Sequence, residues 1–364
     1  MNKYIQKLIC EQFNINDIDF SDDEQGYDIN IFNKEWKNHP YYYKVLDETI
    51  TKKEIDLLSS LVNVATPADE KELKKITMFY SDNYPNKSLN WINVSNITDM
   101  SCLFSDYSCN FNGDISEWDV SGVTNMSNMF QCSFFNKDIS KWDVSNVTDM
   151  RCMFDSTRNF NKDISQWDVS NVKNMESMFH CSKFNKNISQ WDVSNVLYMD
   201  GMFADSNFNG NISDWNVSSV EDMNSMFWKN FYFNKDISKW DVSHVTDMTR
   251  MFSNSIFNKD ISQWNTQNVK TMNEMFCNSD FNQDISNWNV SNVIEMDSMF
   301  KYSDFNKDIS NWDVSNVKDM SWMFCGSKFN RDISGWNVNN VKQYGGIFGS
   351  CALCEKYKPL KFRQ

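Results

Sequence analysis

One motif is repeated along most of the 364 residues of this chain. A tryptophan returns every 24 or 25 residues inside the pattern Phe-Asn-x-Asp-Ile-Ser-x-Trp-(Asp/Asn)-Val-Ser-Asn-Val-x-x-Met-x-x-Met-Phe, of which residues 135–154 are a clean copy. Eleven units follow one another, and the first is a variant with Ile92 in the tryptophan slot. Self-similarity at a fixed short period is the signature of stacked repeats, so the sequence predicts a repeat solenoid. The ten tryptophans of the period are Trp118, Trp142, Trp167, Trp191, Trp215, Trp240, Trp264, Trp288, Trp312 and Trp336.

The spacing of apolar residues within a unit predicts its local structure. Ile139-x-x-Trp142-x-Val144 has the outline of a leucine-rich-repeat strand, and alternation places Trp142 and Val144 on one strand face. Met150, Met153 and Phe154 follow at offsets that suit one face of a helical turn. We therefore expect a leucine-rich-repeat-like right-handed superhelix, with one short parallel β-strand and one short helical turn in each unit.

The ends of the chain depart from the repeat. Thr51-Lys52-Lys53-Glu54 reads as a capping box that opens a helix to about residue 64, and Pro67 at a first helical position opens a second helix. At the far end, residues 344–348 replace Met-x-x-Met-Phe with Tyr-Gly-Gly-Ile-Phe. The predicted organisation is an N-terminal region with a small, mainly helical cap (1–72), the solenoid (73–350), and a C-terminal cap with a basic tail (351–364).

Composition limits the partners. The formal net charge is −14, which disfavours nucleic acid and anionic membrane surfaces because both attract basic faces. No apolar run approaches the ~20 residues of a transmembrane helix, and the start of the chain does not form an export signal. We expect a cytoplasmic protein with no membrane insertion, no nucleic-acid binding, and a protein partner of basic character.

Signals of enzymatic chemistry are nearly absent. His39, His180 and His244 lie far apart in the sequence, and phosphate-binding loops and nucleophile elbows are missing. Cys351-x-x-Cys354 has zinc-ligand spacing but no second ligand pair beside it. Most of the ten cysteines occupy tolerant slots of the repeat and are expected to be reduced. The sequence predicts no catalytic residue, no cofactor and no metal site.

Acidic residues form a column beside the tryptophans. Asp119, Asp143, Asp168 and Asp192 each follow a tryptophan in consecutive units, and stacked carboxylates repel one another. Hydrogen bonding to the backbone in turns would offset the repulsion. Cation binding or contact with a basic partner would offset it too, so the column is a candidate binding surface.

Large aromatic residues interrupt the repeat at variable slots. Tyr198, Tyr302 and Trp322 stand where other units mostly have small or polar residues. Trp228 and Tyr232 also do so, beside a longer loop. Such side chains either fill gaps or anchor a partner, and Trp and Tyr are enriched at binding hot spots. Tyr198, Tyr302 and Trp322 are therefore the candidate anchors.

The motifs Trp-Asp-Val-Ser-Asn-Val, Met-x-x-Met-Phe and Phe-Asn-x-Asp-Ile-Ser resemble those of the BspA-like, leucine-rich-repeat-related family, over roughly residues 73–348. Bacterial members are mostly secreted or lipid-anchored, and some are adhesins that bind host proteins. Similar arrays are plentiful in amoeba-infecting giant DNA viruses. Because this chain lacks an export signal, the resemblance implies an intracellular or viral gene product.

These observations together predict a non-enzymatic protein–protein interaction scaffold that binds through the solenoid surface, on its concave face. The alternative is a structural or surface component, such as a virion, envelope or adhesin-like protein.

Overall fold

The computed structural model of the chain describes residues 66–105 and 109–363. The first predicted helix, residues 51–64, lies outside the described residues. Within them there is one α-helix, α1 (Glu70–Asn83), and two 3-10 helices, Glu355–Tyr357 and Leu360–Phe362. The residues between these elements form the stacked repeat units.

Helix α1 covers the first unit. Its N-cap is Asp69, whose side chain accepts the backbone N–H of Glu72, so the helix begins at Glu70 and the predicted start at Pro67 is wrong. Leu73, Ile76 and Tyr80 are buried at helical spacing.

Ten isolated parallel bridges connect the eleven units. In the first ten units the bridge residue immediately precedes the first methionine, as Asp149 precedes Met150, and in the last unit Gln343 precedes Tyr344. The predicted β-strand at Trp-(Asp/Asn)-Val is therefore wrong, because Trp142 to Val144 form no bridge. The bridge residues are Asp99, Asn125, Asp149, Asn174, Tyr198, Asp222, Asp247, Thr271, Glu295, Asp319 and Gln343.

The Met-x-x-Met-Phe segment forms successive turns rather than a helix, and its backbone is hydrogen-bonded to the next unit of the stack. Met150, Cys152, Phe154 and Ser156 donate their backbone N–H groups to carbonyls of the next unit at 2.8–3.0 Å. Cys152 has φ 52° and Ser156 has φ 56°. A turn closed by Met153 N–H to the Met150 carbonyl with positive φ at its third residue is a type II arrangement. The predicted helical turn is wrong for this reason.

We call residues 149–156 and their equivalents the ladder segment. The positions of Cys152 and Ser156 are its first and second left-handed slots. The outward side chains of all ladder segments form the ladder face.

The core consists of columns of identical residues. In each unit between the first and the last, the tryptophan, the methionines and both phenylalanines lie inside the stack, and Trp191 is 4% exposed. Its indole N–H donates to the carbonyl of Ile164 in the preceding unit at 3.1 Å. The ring of Phe154 stacks on Phe179 of the next unit at 5.7 Å and on Phe160 at 4.0 Å. Every unit is thus buried by its neighbours, which explains how a short repeat without regular secondary structure folds.

The C-terminal residues cover the last unit. The Lys361 ammonium donates to the carbonyls of Val341 at 2.6 Å and Val338 at 3.2 Å. Phe362 is buried, and its ring lies 5.0 Å from that of Tyr344. The same ammonium lies 3.4 Å from the carbonyl of Asn339, whose equivalent in an inner unit, Ser145, accepts a hydrogen bond from Asn171 of the next unit.

Candidate binding surface

The left-handed slots of the ladder face display side chains that the backbone does not need. Main-chain atoms make the hydrogen bonds at these slots, so they accept varied residues. The first left-handed slot holds Cys152, Gly201, Arg250 and Trp322 in different units, and Tyr302 occupies a second left-handed slot with φ 55°. Left-handed geometry costs a side chain with Cβ roughly 1–2 kcal/mol relative to glycine. Large rings at these slots therefore have no origin in backbone geometry.

Tyr302 and Trp322 lie together in two consecutive units. Tyr302 is 58% exposed and Trp322 is 48% exposed. Each ring lies against the glycine that holds the same slot of the next unit: Tyr302 against Gly326 and Trp322 against Gly346. The Lys301 ammonium lies 5.6 Å from the Tyr302 ring centroid and 5.3 Å from that of Trp322, so it connects the two rings. We call Lys301, Tyr302 and Trp322 the aromatic patch.

Tyr198 is exposed but lies elsewhere on the ladder face. It occupies a bridge slot, between Asn174 and Asp222 of the neighbouring units. Four units separate it from the unit of Tyr302, which is roughly 20 Å at ~4.8 Å for each stacked strand. The structure thus brings two of the three predicted aromatic anchors together and leaves the third apart.

Carboxylates occupy other positions of the two ladder segments that carry the aromatic patch. Glu295 and Asp319 occupy the bridge slots of the same two units, and Asp297 lies on the same ladder segment as Tyr302. Burial, and then the negative charges of Asp319, Glu274 and Glu295, raise the pKa of Asp297 above its usual value. A cation near these carboxylates would reduce the repulsion between their negative charges and would be stabilised there.

A second acidic group lies near Tyr198. Burial raises the pKa of Asp200 to about 7, and the neighbouring charges of Glu176, Asp222 and Asp247 add to the effect. The sequence reasoning missed both acidic groups. Their signal was the recurrence of Asp and Glu just before and just after the first methionine at the repeat spacing.

The acidic column beside the tryptophans has a structural role. Asp143 Oδ1 accepts the backbone N–H of Ser145 at 3.1 Å and its hydroxyl at 2.6 Å. Asp192 Oδ1 accepts the N–H of Ser194 at 3.0 Å, and the hydrogen bonds from Ser194 hold the pKa of Asp192 below its usual value. Asp119 and Asp168 make the equivalent backbone bonds. All four carboxylates are exposed, and their predicted contact with a partner stays a prediction.

The two aromatic residues near the longer loop differ in exposure. Tyr232 is 51% exposed, whereas Trp228 is partly buried with the Lys229 ammonium 4.3 Å from its ring. Neither joins the aromatic patch, which lies at least two units further along the stack.

Within the described residues, nine cysteines are free. No group of three or more His, Cys, Asp or Glu side chains in that part of the chain has a geometry that could hold a metal ion. The described residues also contain no helix of the length and apolar character needed to cross a membrane.

Three overlapping segments, residues 73–191, 177–280 and 253–358, match the family described as "Mycoplasma protein of unknown function, DUF285". Together they span well over half of the chain, so the chain belongs to this repeat family. No curated protein matches it, and no solved structure does. The resemblance to BspA-like proteins and the viral setting stay predictions.

Proposed function

We propose that this protein is a non-enzymatic interaction scaffold and that its aromatic patch binds a basic segment of a partner protein. The observation that carries the proposal is the pair Tyr302 and Trp322, two half-exposed rings in left-handed slots of the ladder face. A right-handed superhelical path that makes this face concave is part of the same proposal.

The rings and carboxylates at and near the aromatic patch favour a positively charged partner. The position of Lys301 over both rings places an ammonium within cation–π distance. A lysine or arginine of a partner would find the same ring faces, together with the carboxylates of Glu295, Asp297 and Asp319. Such carboxylates steer positively charged ligands toward the site. A basic segment therefore combines ring stacking with relief of the repulsion between these acids.

The test is a selection of random twelve-residue peptides on the immobilised full chain, followed by affinity measurements on the selected peptides. The proposal expects enrichment of Lys and Arg, and an affinity that falls as salt is raised. Tyr302→Asn and Trp322→Asn together should abolish binding. Asparagine tolerates positive φ and already occupies these slots as Asn278 and Asn128, so the fold should persist.

Tyr232→Asn is the matched control, because it removes a ring of similar exposure outside the ladder face. Peptides without basic enrichment, or binding that survives the Tyr302→Asn, Trp322→Asn double variant, would refute the proposal. Binding that is lost equally in the control would refute it as well.

A further inference from the structure

Cys181, His180 and Asp155 form a hydrogen-bonded chain of side chains on the ladder face, several units away from the aromatic patch. The sequence reasoning set His180 aside because the histidines lie far apart. Stacking brings His180 next to Asp155, since both occupy the slot after the second phenylalanine in consecutive units. Asp155 Oδ1 lies 2.8 Å from His180 Nδ1, and His180 Nε2 lies 3.3 Å from Cys181 Sγ.

The carboxylate fixes the imidazole. Asp155 is largely buried and also accepts hydrogen bonds from Gln131 at 2.8 Å and Ser156 at 3.0 Å. Burial pushes the pKa of Asp155 up, but the hydrogen bonds from His180 and Gln131 bring it below its usual value. An ionised carboxylate only accepts, so Nδ1 carries the hydrogen and Nε2 of the neutral ring presents its lone pair to the thiol.

The Cys181 thiol requires a base such as His180 Nε2 in order to react at neutral pH. Burial, and then the hydrogen bond to Asp205, raise the pKa of Cys181 to about 11. Cys181 is therefore a neutral thiol at pH 7, and its single hydrogen can be donated either to Asp205 Oδ2 at 3.4 Å or to His180 Nε2 at 3.3 Å. A neutral thiol attacks slowly unless a neighbouring base takes the proton as the new bond forms.

We propose that Cys181 is a modification site at which the protein exchanges with low-molecular-weight disulfides, assisted by His180. Cys181 Sγ attacks one sulfur of a disulfide R–S–S–R while His180 Nε2 takes the thiol proton. The Sγ–S bond forms, the S–S bond breaks, and the leaving thiolate receives the proton from His180. The products are the protein mixed disulfide and one RSH, and the exchange needs no further oxidant.

The chain contains its own control. Cys132 occupies the same second left-handed slot two units earlier, and it is partly exposed like Cys181. Gln131 precedes it where His180 precedes Cys181, and both of these side chains contact the Asp155 carboxylate. The two cysteines differ in the imidazole of His180 and in the Asp205 carboxylate, which accepts a hydrogen bond from Cys181 and raises its pKa. Because that carboxylate opposes ionisation of the thiol, a faster reaction at Cys181 would have to come from the imidazole.

The experiment treats the full chain with 2-hydroxyethyl disulfide, an uncharged probe that Asp155 and Asp205 do not repel. Peptide mapping by mass spectrometry then gives the rate of modification at each cysteine. At pH 7 we expect Cys181 to react at least ~10-fold faster than Cys132, at the low end of general-base effects.

His180→Gln should bring Cys181 to the rate of Cys132 or below, with the rate at Cys132 unchanged. Equal rates at the two cysteines of the unmodified chain would overturn the proposal, and this comparison needs no variant to fold. An undiminished rate at Cys181 in the folded His180→Gln protein would overturn it too.

Discussion

The two outward-facing parts of each unit follow different rules. Beside the tryptophan, the outward residue is always Asp or Asn, because its side chain closes a turn, as Asp192 does with Ser194. At the left-handed slots of the ladder face, main-chain atoms close the turns and connect the units, so the side chains there range from Gly201 to Trp322. A surface column that keeps one residue type is thus explained by its structural role, whereas the residues in a variable column are not required by the fold and can serve binding.

The largest expected effect concerns the core that both parts share. Trp191→Ala should destabilise the protein by ~3–5 kcal/mol, as expected for a buried aromatic, and it leaves the Ile164 carbonyl without its indole donor. Urea unfolding would measure the loss. Trp191→Phe should lose less, since it keeps most of the buried ring. A loss below ~1 kcal/mol for Trp191→Ala would contradict the core assignment.

Gly326→Ala sharpens the description of the aromatic patch. Gly326 has φ +65°, and a Cβ added there would lie 2.3 Å from Tyr302 Cδ1. The backbone cost alone is about 1–2 kcal/mol, and the Tyr302 ring must also move. Gly335→Ala is a control, because a Cβ there meets nothing within 4 Å. Gly326→Ala should cost less stability in the Tyr302→Asn variant, which lacks the ring. An equal loss in both backgrounds would show that the Tyr302 ring does not lie against Gly326.

Asp192 tests the turn beside the tryptophan. Asp192→Ala should cost ~1 kcal/mol, the net value of a lost hydrogen bond. Asp192→Asn should be nearly neutral, because Asn216 makes the same backbone bond in the next unit. Parallel denaturant melts would measure both. Equal losses from the two variants would mean that charge, rather than the turn, determines this column.

The smallest effect concerns the crowded acids near Tyr198. The pKa of Asp200 is raised to about 7 in the folded protein. Between pH ~4 and pH ~7, the Asp200 carboxyl is therefore protonated in the folded state and ionised in the unfolded state. The ionised carboxylate therefore destabilises the fold fully above pH ~7 and not below pH ~4.

Asp200→Asn should accordingly raise the melting temperature at pH 8 and leave it nearly unchanged at pH 4. Asp192→Asn serves as the control, since the pKa of that group is lowered rather than raised. A gain for Asp200→Asn that is the same at both pH values would show that ionisation is not its cause.

The sequence was sufficient to predict the repeat and its buried columns, but not the local backbone. Trp142 and Val144 are both buried, as alternation predicted, yet an alternating pattern does not distinguish a strand from a sequence of turns. The spacing of Met150, Met153 and Phe154 is the same as that of residues on one face of a helix, although these residues form turns. Cys152 between the methionines is left-handed, and a cysteine gives no sign of positive φ.

A sign of the left-handed backbone was present in other units. Gly201 and Gly346 occupy the first left-handed slot, and glycine in a repeated position is typical of positive φ. The exposure of Tyr302 and Trp322 was predictable because their slots vary. The chain of Asp155, His180 and Cys181 was not, since it depends on which slots the stacking superimposes.

The most direct test is to place all twenty amino acids at position 192 and, separately, at position 302, and to measure urea unfolding midpoints for both series. At position 192 we expect Asp and Asn to stand clearly above all others, because their side chains accept the N–H of Ser194 better than the shorter hydroxyl of Ser or Thr does. At position 302 the ranking should follow tolerance of positive φ, with Gly and Asn at or above Tyr. A preference for aromatic residues at position 302, or indifference at position 192, would contradict the distinction between a structural column and a functional face.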